Sequence, residues 1–235
     1  GTGAGSIHFI SLPGENETGA EEKILQVHHS QVFDLCYIPA HQLICSAGAD
    51  GQFGVIDVVT RQLKQIRKLT GAKVRGIALH PQQQELAVAC GDGKIHILRL
   101  PDFEITHSFD AHGLSANTVR YHPQGKYLLS GGRDAHLCVW NCEAGYSAVK
   151  SIPAHNFAIY DIVFSPDNLF FATASRDKTI KIWDSTSIEF LLRINKENHN
   201  GHSNSVNRLC WNNEALFSLG DDRTVCGWDV RSNKL

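Results

Sequence analysis

Short runs of alternating apolar and polar residues recur along the chain, and the ends of six such runs are almost evenly spaced. The runs end at Ile10-Ser11, Ile56-Asp57, Leu98-Arg99, Trp140-Asn141, Trp183-Asp184 and Trp228-Asp229, so their last residues lie 46, 42, 42, 43 and 45 positions apart. A period of two predicts short β-strands, and no long stretch shows the period of about 3.6 residues that a helix requires. The pattern therefore predicts a repeat built from strands.

The unit at 155–193 shows the predicted architecture most clearly. Strands are predicted at 158–164, 169–175, 179–184 and 189–194, with turns at Ser165-Pro166-Asp167-Asn168 and at Arg176-Asp177-Lys178 between the first three. Four antiparallel strands make one sheet with two apolar faces, and both faces are buried only when neighbouring units stack on them. The units are therefore predicted to assemble radially.

The segment AHNFAIYDIVFSPDNLFFATASRDKTIKIWD resembles the WD40 repeat over its whole length, and five consecutive units of this kind cover residues 28–231. The resemblance implies an all-β fold, a β-propeller of four-stranded antiparallel blades. The chain also looks like the short stand-alone WD40 proteins of bacteria. We predict a single propeller domain (1–235) of about five complete blades and a partial one, at about 1–27 (partial), 28–69, 70–109, 110–152, 153–195 and 196–235.

The predicted strands do not fill a whole number of blades. Residues 1–12 and 22–27 match the third and fourth strands of a blade, four units have all four strands, and the last unit has three. WD40 propellers usually have seven blades, so the resemblance implies that N-terminal blades are missing, in keeping with a chain that contains no Met. A closed ring of five blades is the alternative, and it leaves residues 1–12 as a spare strand.

Composition excludes few functions. The net charge of −2 gives no overall attraction to nucleic acid or to acidic membranes, and no apolar run approaches the roughly 20 residues that span a bilayer. Seven scattered cysteines without a C-x-x-C pair indicate a reducing compartment. We expect a cytoplasmic protein that needs no cofactor or metal.

A His, a Ser or Thr, an Asp and a Trp recur in each strong unit. Ser-His-Asp sets occur in acyl-transfer enzymes, but an enzyme needs one nucleophile and here the set repeats at blade spacing. It resembles the hydrogen-bonded tetrad that holds WD40 blades together, and we predict this structural role because buried Trp and His require partners. The predicted tetrads are His112, Ser130, Asp134, Trp140; His155, Thr173, Asp177, Trp183; and His202, Ser218, Asp222, Trp228.

Two units depart from this pattern. The unit at 28–57 has His28, Ser46 and Asp50 but Ile56 in place of Trp. The unit at 70–100 keeps only Asp92 of the four residues. We therefore expect the blade at 70–109 to be held by apolar packing alone.

Unrepeated residues are the better candidates for function. The resemblance implies that partners dock on one rim of the propeller. The contact positions lie three and five residues after the tetrad His of each unit (the blade His), and at the residue before the tetrad Asp. These positions include cations, aromatic residues and one acid, so a negatively charged partner segment, acidic or phosphorylated, is predicted there. The predicted partner-binding residues are Phe33, Lys73, Arg75, Asn117, Arg133, Tyr160, Arg176, Asn207 and Asp221.

Three functions remain open from the sequence. The leading one is a non-catalytic scaffold that binds a protein or peptide, since no unrepeated acid–base or nucleophile set is present. An enzyme or small-ligand sensor would use the central channel, where Asp34 and Asp161 are the acids predicted on the innermost strands. An RNA-binding module would use the basic rim and would show steep salt dependence, although nucleic acid is not the partner we expect.

Overall fold

Six antiparallel sheets make up the protein in the computed structural model, which describes residues 1–10, 22–213 and 215–230. Four sheets have four strands, one has three and one has two. The predicted all-β architecture is therefore confirmed, and the strands of the fourth unit begin one residue later than predicted. Part of the first predicted blade, residues 11–21, and residues 231–235 lie outside the described residues.

The strands are short and follow one another in sequence within each sheet. The N-terminal sheet consists of β1 (Ser6–Ile10) and β2 (Glu22–Gln26). Blade A consists of β3 (Val32–Ile38), β4 (Leu43–Gly48), β5 (Gln52–Asp57) and β6 (Gln62–Lys68). Blade B consists of β7 (Val74–Leu79), β8 (Glu85–Cys90), β9 (Lys94–Arg99) and β10 (Ile105–Asp110).

The second half of the chain repeats this arrangement. Blade C consists of β11 (Ala116–Tyr121), β12 (Tyr127–Gly132), β13 (His136–Asn141) and β14 (Ser147–Pro153). Blade D consists of β15 (Ile159–Phe164), β16 (Phe170–Ser175), β17 (Ile180–Asp184) and β18 (Phe190–Ile194). Blade E consists of β19 (Val206–Trp211), β20 (Leu216–Gly220) and β21 (Val225–Trp228).

Helix is confined to three single turns in the described part of the chain. Two are 3-10 helices, at Pro39–His41 and Cys142–Ala144, and the third is the α-helix α1 at Lys196–His199. The Asn195 side chain caps α1 by accepting a hydrogen bond from the Asn198 N–H. None of these helices is long and apolar enough to cross a membrane.

The blades are arranged in a ring, with the first strand of each blade innermost. Strands β3, β7, β11, β15 and β19 pack against one another in that order. The Arg208 guanidinium of blade E donates a 2.6 Å hydrogen bond to the Phe33 carbonyl of blade A. The first and last of these blades are therefore in direct contact.

Apolar residues are buried between blades. Each core cluster combines residues of two neighbouring sheets, as where Leu86 of blade B packs with Ile38 of blade A, and Leu129 of blade C packs with Phe171 of blade D. All four of these side chains are at most 1% exposed. Since each blade hides its faces against its neighbours, the expectation of radial assembly is confirmed.

Candidate functional site

The tetrad residues of blade D form one continuous chain of hydrogen bonds. The His155 Nδ1 atom lies 2.9 Å from Asp177 Oδ2, and its Nε2 atom lies 2.8 Å from Thr173 Oγ1. The Trp183 indole N–H donates to the same Thr173 oxygen at 3.0 Å. A carboxylate that accepts from Nδ1–H leaves Nε2 to accept the hydroxyl proton, so every member of the chain is satisfied.

The same geometry recurs in blades C and E, and without the Trp in blade A. In those three blades the distance from His Nδ1 to the Asp oxygen is 2.9–3.1 Å, and the distance from His Nε2 to the Ser Oγ is 2.8–2.9 Å. In blades C and E the Trp N–H reaches the Ser oxygen at 2.9 and 2.8 Å. These residues are His112, Ser130, Asp134, Trp140; His202, Ser218, Asp222, Trp228; and His28, Ser46, Asp50.

A tight turn presents each Asp to its partners. In blade D the turn contains Lys178 at φ 71°, and the Asp177 carboxylate accepts the Thr179 N–H at 3.0 Å. It also accepts the Asn156 N–H, at 3.0 Å, from the loop that carries His155. Asp is suited to this position because its short side chain can bind its own turn.

Blade B corrects one expectation from the sequence. The Thr70 hydroxyl occupies the position of the blade His and donates a 2.6 Å hydrogen bond to Asp92. Val88 and Leu98, which replace the Ser and the Trp, are fully buried. Blade B therefore retains the bond to its turn carboxylate, and apolar packing replaces only the inner half of the tetrad.

The networks predict sensitivity to acid. Burial lowers the pKa of His112 and His155 below 6.5, although their Asp partners oppose this shift. Burial works against ionisation of Asp177, but the bonds from His155, Thr179 and the Asn156 N–H outweigh it and hold the pKa well below 3.8.

We expect stability to be complete above pH 6.5, to fall by on the order of 1 kcal/mol as the histidines protonate, and to fall further below pH 3.8. Urea unfolding midpoints measured at a series of pH values check this prediction. A midpoint that does not change from neutral pH down to pH 3.8 would contradict it.

A β-bulge interrupts the first pair of strands in every blade from A to E. The pairing register shifts at the same place in each blade, leaving one residue of the first strand without a partner. Bulges bend a strand and turn a side chain away from the ladder. The bulged residues are Phe33, Arg75, Asn117, Tyr160 and Asn207.

All five bulged residues line one cavity, together with Arg208. This cavity has a volume of about 230 Å³ and opens at the centre of the ring, where the innermost strands begin. Five equivalent positions from five blades therefore meet at the mouth of the channel. Each of the five was predicted from the sequence as a partner-binding residue, and the bulge is the local feature that aims them inward.

The mouth of the channel is cationic and aromatic. The Arg75 guanidinium lies 4.7 Å from the centre of the Phe33 ring, and the Lys73 ammonium lies 5.6 Å from the same centre. Burial lowers the pKa of Arg75, and the neighbouring Arg133 adds to the lowering. The buried Arg75 Nε atom has no hydrogen-bond partner among the residues that the structure describes.

The other predicted rim residues occupy the surrounding surface. Arg133 and Arg176 are exposed, and the Arg176 guanidinium lies 5.9 Å from the Phe157 ring centre. Asp221 is held by the Asn207 side-chain amide at 2.5 Å. In the ranges that the structure describes, none of Lys73, Arg75, Arg133 and Arg176 has a carboxylate within 4.0 Å.

Sequence reasoning missed three residues on this rim. Leu114 and Phe157 are 53% and 56% exposed, and each stands two residues after the tetrad His of its blade. The Phe157 ring lies near the Arg176 guanidinium. Arg208 lies six residues after His202, where two other blades have an acid. The change from Asp34 and Asp161 to Arg208 at one repeat position could have identified Arg208 from the sequence.

The two channel acids bind backbone and arginine. Asp34 accepts the Ile77 N–H at 2.9 Å, and Asp161 accepts the Leu209 N–H at 3.0 Å, so each carboxylate joins two adjacent blades. Asp161 lies 3.5 Å from Arg120 and 3.9 Å from Arg208. Burial raises the pKa of Asp161 even though both arginines oppose the shift.

A ring of antiparallel sheets with tetrads on one end and bulges at the channel mouth defines a β-propeller repeat protein. The family described as "WD domain, G-beta repeat" (WD40) matches five segments that cover most of the chain, at residues 19–57, 63–98, 103–141, 146–184 and 195–229. The chain belongs to the WD40 family, as the repeat unit indicated.

Curated relatives share this domain within longer chains. The protein is 29% identical over 206 residues to mouse pre-mRNA-processing factor 19, covering 87% of this chain and 37% of that protein. It is 28% identical over 242 residues to the nuclear distribution protein nudF of Aspergillus niger, covering 91% and 53%. It is 30% identical over 126 residues to the WD repeat domain-containing protein 83 homolog of Dictyostelium discoideum, covering 53% and 37%. The chain thus spans 37–53% of these relatives.

Proposed function

We propose that the protein is a non-catalytic scaffold that binds an acidic or phosphorylated segment of a partner protein at the channel mouth. The observation that carries this proposal is the meeting of five bulged residues, of four different types, at one cavity, beside cations that have no acidic partner among the described residues. WD40 relatives that act in RNA processing and nuclear distribution, by their names, support the scaffold class.

The chemistry of the rim favours anions. Arg75 is half-buried with its Nε atom unpartnered, so a carboxylate or phosphate would gain charge-assisted hydrogen bonds at small additional desolvation cost. Phe33 and Tyr160 provide aromatic surface at the same mouth. The exposed Leu114 and Phe157 extend it with apolar area, so we expect the bound segment to alternate acidic and apolar residues.

The alternatives have weaker support. Asp34 and Asp161 would serve an enzyme, but both carboxylates are already bound to backbone N–H groups and arginine. RNA would need a longer cationic track than a mouth of about 230 Å³ offers. We also propose a cytoplasmic location, because all seven cysteines are free thiols.

Removing three rim cations is expected to abolish most of this binding. A tagged library of Asp-, Glu- and phosphoserine-containing peptides, with Asn, Gln and Ser counterparts, should give acidic ligands whose affinity falls at least about tenfold in the Arg75/Arg133/Arg176→Ala variant. Fluorescence anisotropy at physiological salt measures this affinity.

The matched control removes three exposed cations from fourth strands, Lys64, Lys150 and Arg193. It should bind as the wild type does. An equal loss in both variants would show that net charge alone attracts the peptides and would contradict a rim site. Preferential binding of single-stranded RNA with a steep dependence on salt would favour the RNA alternative instead.

A further inference from the structure

A second cavity lies on the rim opposite the channel mouth, between blades B and C. It is bordered by the turns that follow the first strands of both blades and the third strand of blade C, which lie at the other end of the sheets from the bulges, and its volume is about 220 Å³. Its lining includes His80, Glu85, His107, Lys126 and Tyr146. None of these residues takes part in the tetrads or in the rim site.

Glu85 breaks the repeat at this place. It stands three residues before the tetrad Ser/Thr position, where the other four blades have Leu43, Tyr127, Phe170 and Ala215. A half-buried carboxylate in place of an apolar residue costs desolvation energy unless the charge is compensated. A residue that breaks the repeat at such a cost is a candidate for function.

Two buried tyrosines of blade C fix one oxygen of this carboxylate. The Tyr146 hydroxyl donates to Glu85 Oε1, and the Tyr121 hydroxyl lies 3.4 Å from the same oxygen and 3.0 Å from the Tyr146 hydroxyl. Burial raises the pKa of both tyrosines, and Glu85 raises it further, so both stay protonated and can donate. The carboxylate is thereby oriented, and Oε2 is left for another donor.

No cation of the described residues neutralises Glu85 within 4.0 Å. Arg99 faces it across the β8–β9 pair, but its guanidinium binds Asp102 at 2.5 Å and Glu104 at 2.6 Å. Lys126 directs its ammonium to the Tyr127 ring, 5.5 Å from the ring centre. In the part of the chain that the structure describes, the cavity therefore holds an oriented carboxylate that no cation approaches within 4.0 Å.

The walls suit a cation of side-chain size. The Tyr146 ring is buried, 5.4 Å from the His107 ring and stacked with Phe109 at 5.6 Å, so its hydroxyl is held in place beside Glu85. A cation at this place gains charge attraction to Glu85 and charge-assisted hydrogen bonds to its Oε2 atom. The volume is below the ~300 Å³ at which pockets for whole small molecules begin.

We propose that this cavity receives the cationic end of a lysine or arginine side chain from a protein partner, with Glu85 as its counter-ion. This site is separate from the rim site. It prefers cations, whereas the rim site prefers anions. A propeller with both sites can hold an acidic segment on one face and a basic segment on the other.

The probes are N-acetyl-lysine methylamide and N-acetyl-arginine methylamide, with N-acetyl-norleucine methylamide as the neutral control. The five tyrosines, labelled with ¹³C, report both faces in one NMR spectrum, since Tyr121 and Tyr146 lie at this cavity and Tyr160 at the channel mouth. We expect the basic probes to shift the Tyr121 and Tyr146 signals saturably, without shifting Tyr160, and the neutral probe to shift none.

The variants decide the role of Glu85. Glu85→Gln should weaken binding about tenfold or more, because a charge-assisted bond is lost. Glu85→Leu introduces the residue type that blade A has at the same repeat position, Leu43, so the variant should fold and should bind no probe. Glu143→Gln removes an exposed charge from the same lining and should bind as the wild type does, as should the Arg75/Arg133/Arg176→Ala variant.

Several results would overturn the proposal. They are absence of saturable shifts in the wild type, unchanged affinity in Glu85→Gln or Glu85→Leu, and an equal loss in Glu143→Gln. If free L-lysine or L-arginine bound more tightly than the blocked probes, the ligand of the cavity would be a free amino acid and not a side chain of a partner protein. Since the rim variant is tested in parallel, a failure here leaves the rim proposal intact.

Discussion

Replacing Asp161 with alanine is expected to lower the free energy of unfolding by about 3 kcal/mol. The carboxylate is 2% exposed and accepts the Leu209 N–H of the next blade. Removing the carboxylate leaves that N–H without its acceptor and takes away the negative charge that faces Arg120 and Arg208. Urea unfolding followed by tryptophan fluorescence measures the change.

Two variants separate the contributions. Asp161→Asn keeps an oxygen for the Leu209 N–H and loses only the charge. Because burial raises the pKa of Asp161 despite both arginines, the folded protein already disfavours that charge, and a loss of less than about 1 kcal/mol is expected. Asp34→Ala removes the equivalent bond between blades A and B, at a carboxylate that is 15% exposed, and should also cost less. Equal stability of Asp161→Ala and the wild type would show that the blades are joined by apolar packing alone.

Asp177→Ala is expected to lower the free energy of unfolding by about 2–3 kcal/mol. The carboxylate binds His155 together with the Asn156 and Thr179 N–H groups, and its removal leaves a buried imidazole without a partner at Nδ1 except the Thr179 hydroxyl at 3.3 Å. A lower urea midpoint and weaker acid dependence below pH 3.8 should both be seen.

The neighbouring Arg176 is the natural control. Its side chain is exposed and lies near the face of Phe157, so Arg176→Ala should leave stability within about 0.5 kcal/mol of the wild type and should weaken peptide binding instead. If Arg176→Ala destabilised the protein and Asp177→Ala did not, the assignment of this turn would be wrong.

Repetition separates architecture from candidate function in this protein. The His–Ser/Thr–Asp chain occurs in four blades with nearly the same distances, so its chemistry cannot be specific to one ligand. The bulged positions share a backbone geometry but carry four residue types in five blades, with Asn in blades C and E. A shared backbone with varied side chains is the arrangement that lets a rigid ring present a particular surface.

The sequence predicted the repeat, the strand order and the groups that hydrogen-bond within each blade. It could do so because these depend on contacts inside one unit of about forty residues, and the period-two pattern and the His, Ser/Thr, Asp and Trp spacing record them directly. The Thr70–Asp92 bond was not predicted, because Thr in place of His breaks the sequence pattern of the tetrad. The Thr hydroxyl nevertheless donates a hydrogen bond to the turn carboxylate, as the imidazole does in the other blades.

Contacts between units were decided only by the tertiary structure. The gathering of Phe33, Arg75 and Tyr160 at one mouth depends on bulges and on closure of the ring. The bond of Glu85 to Tyr146 joins residues 61 positions apart in different blades. A sequence pattern reports which face of its own strand a residue occupies, whereas the neighbour it meets across a blade interface depends on how the sheets stack and turn about the axis.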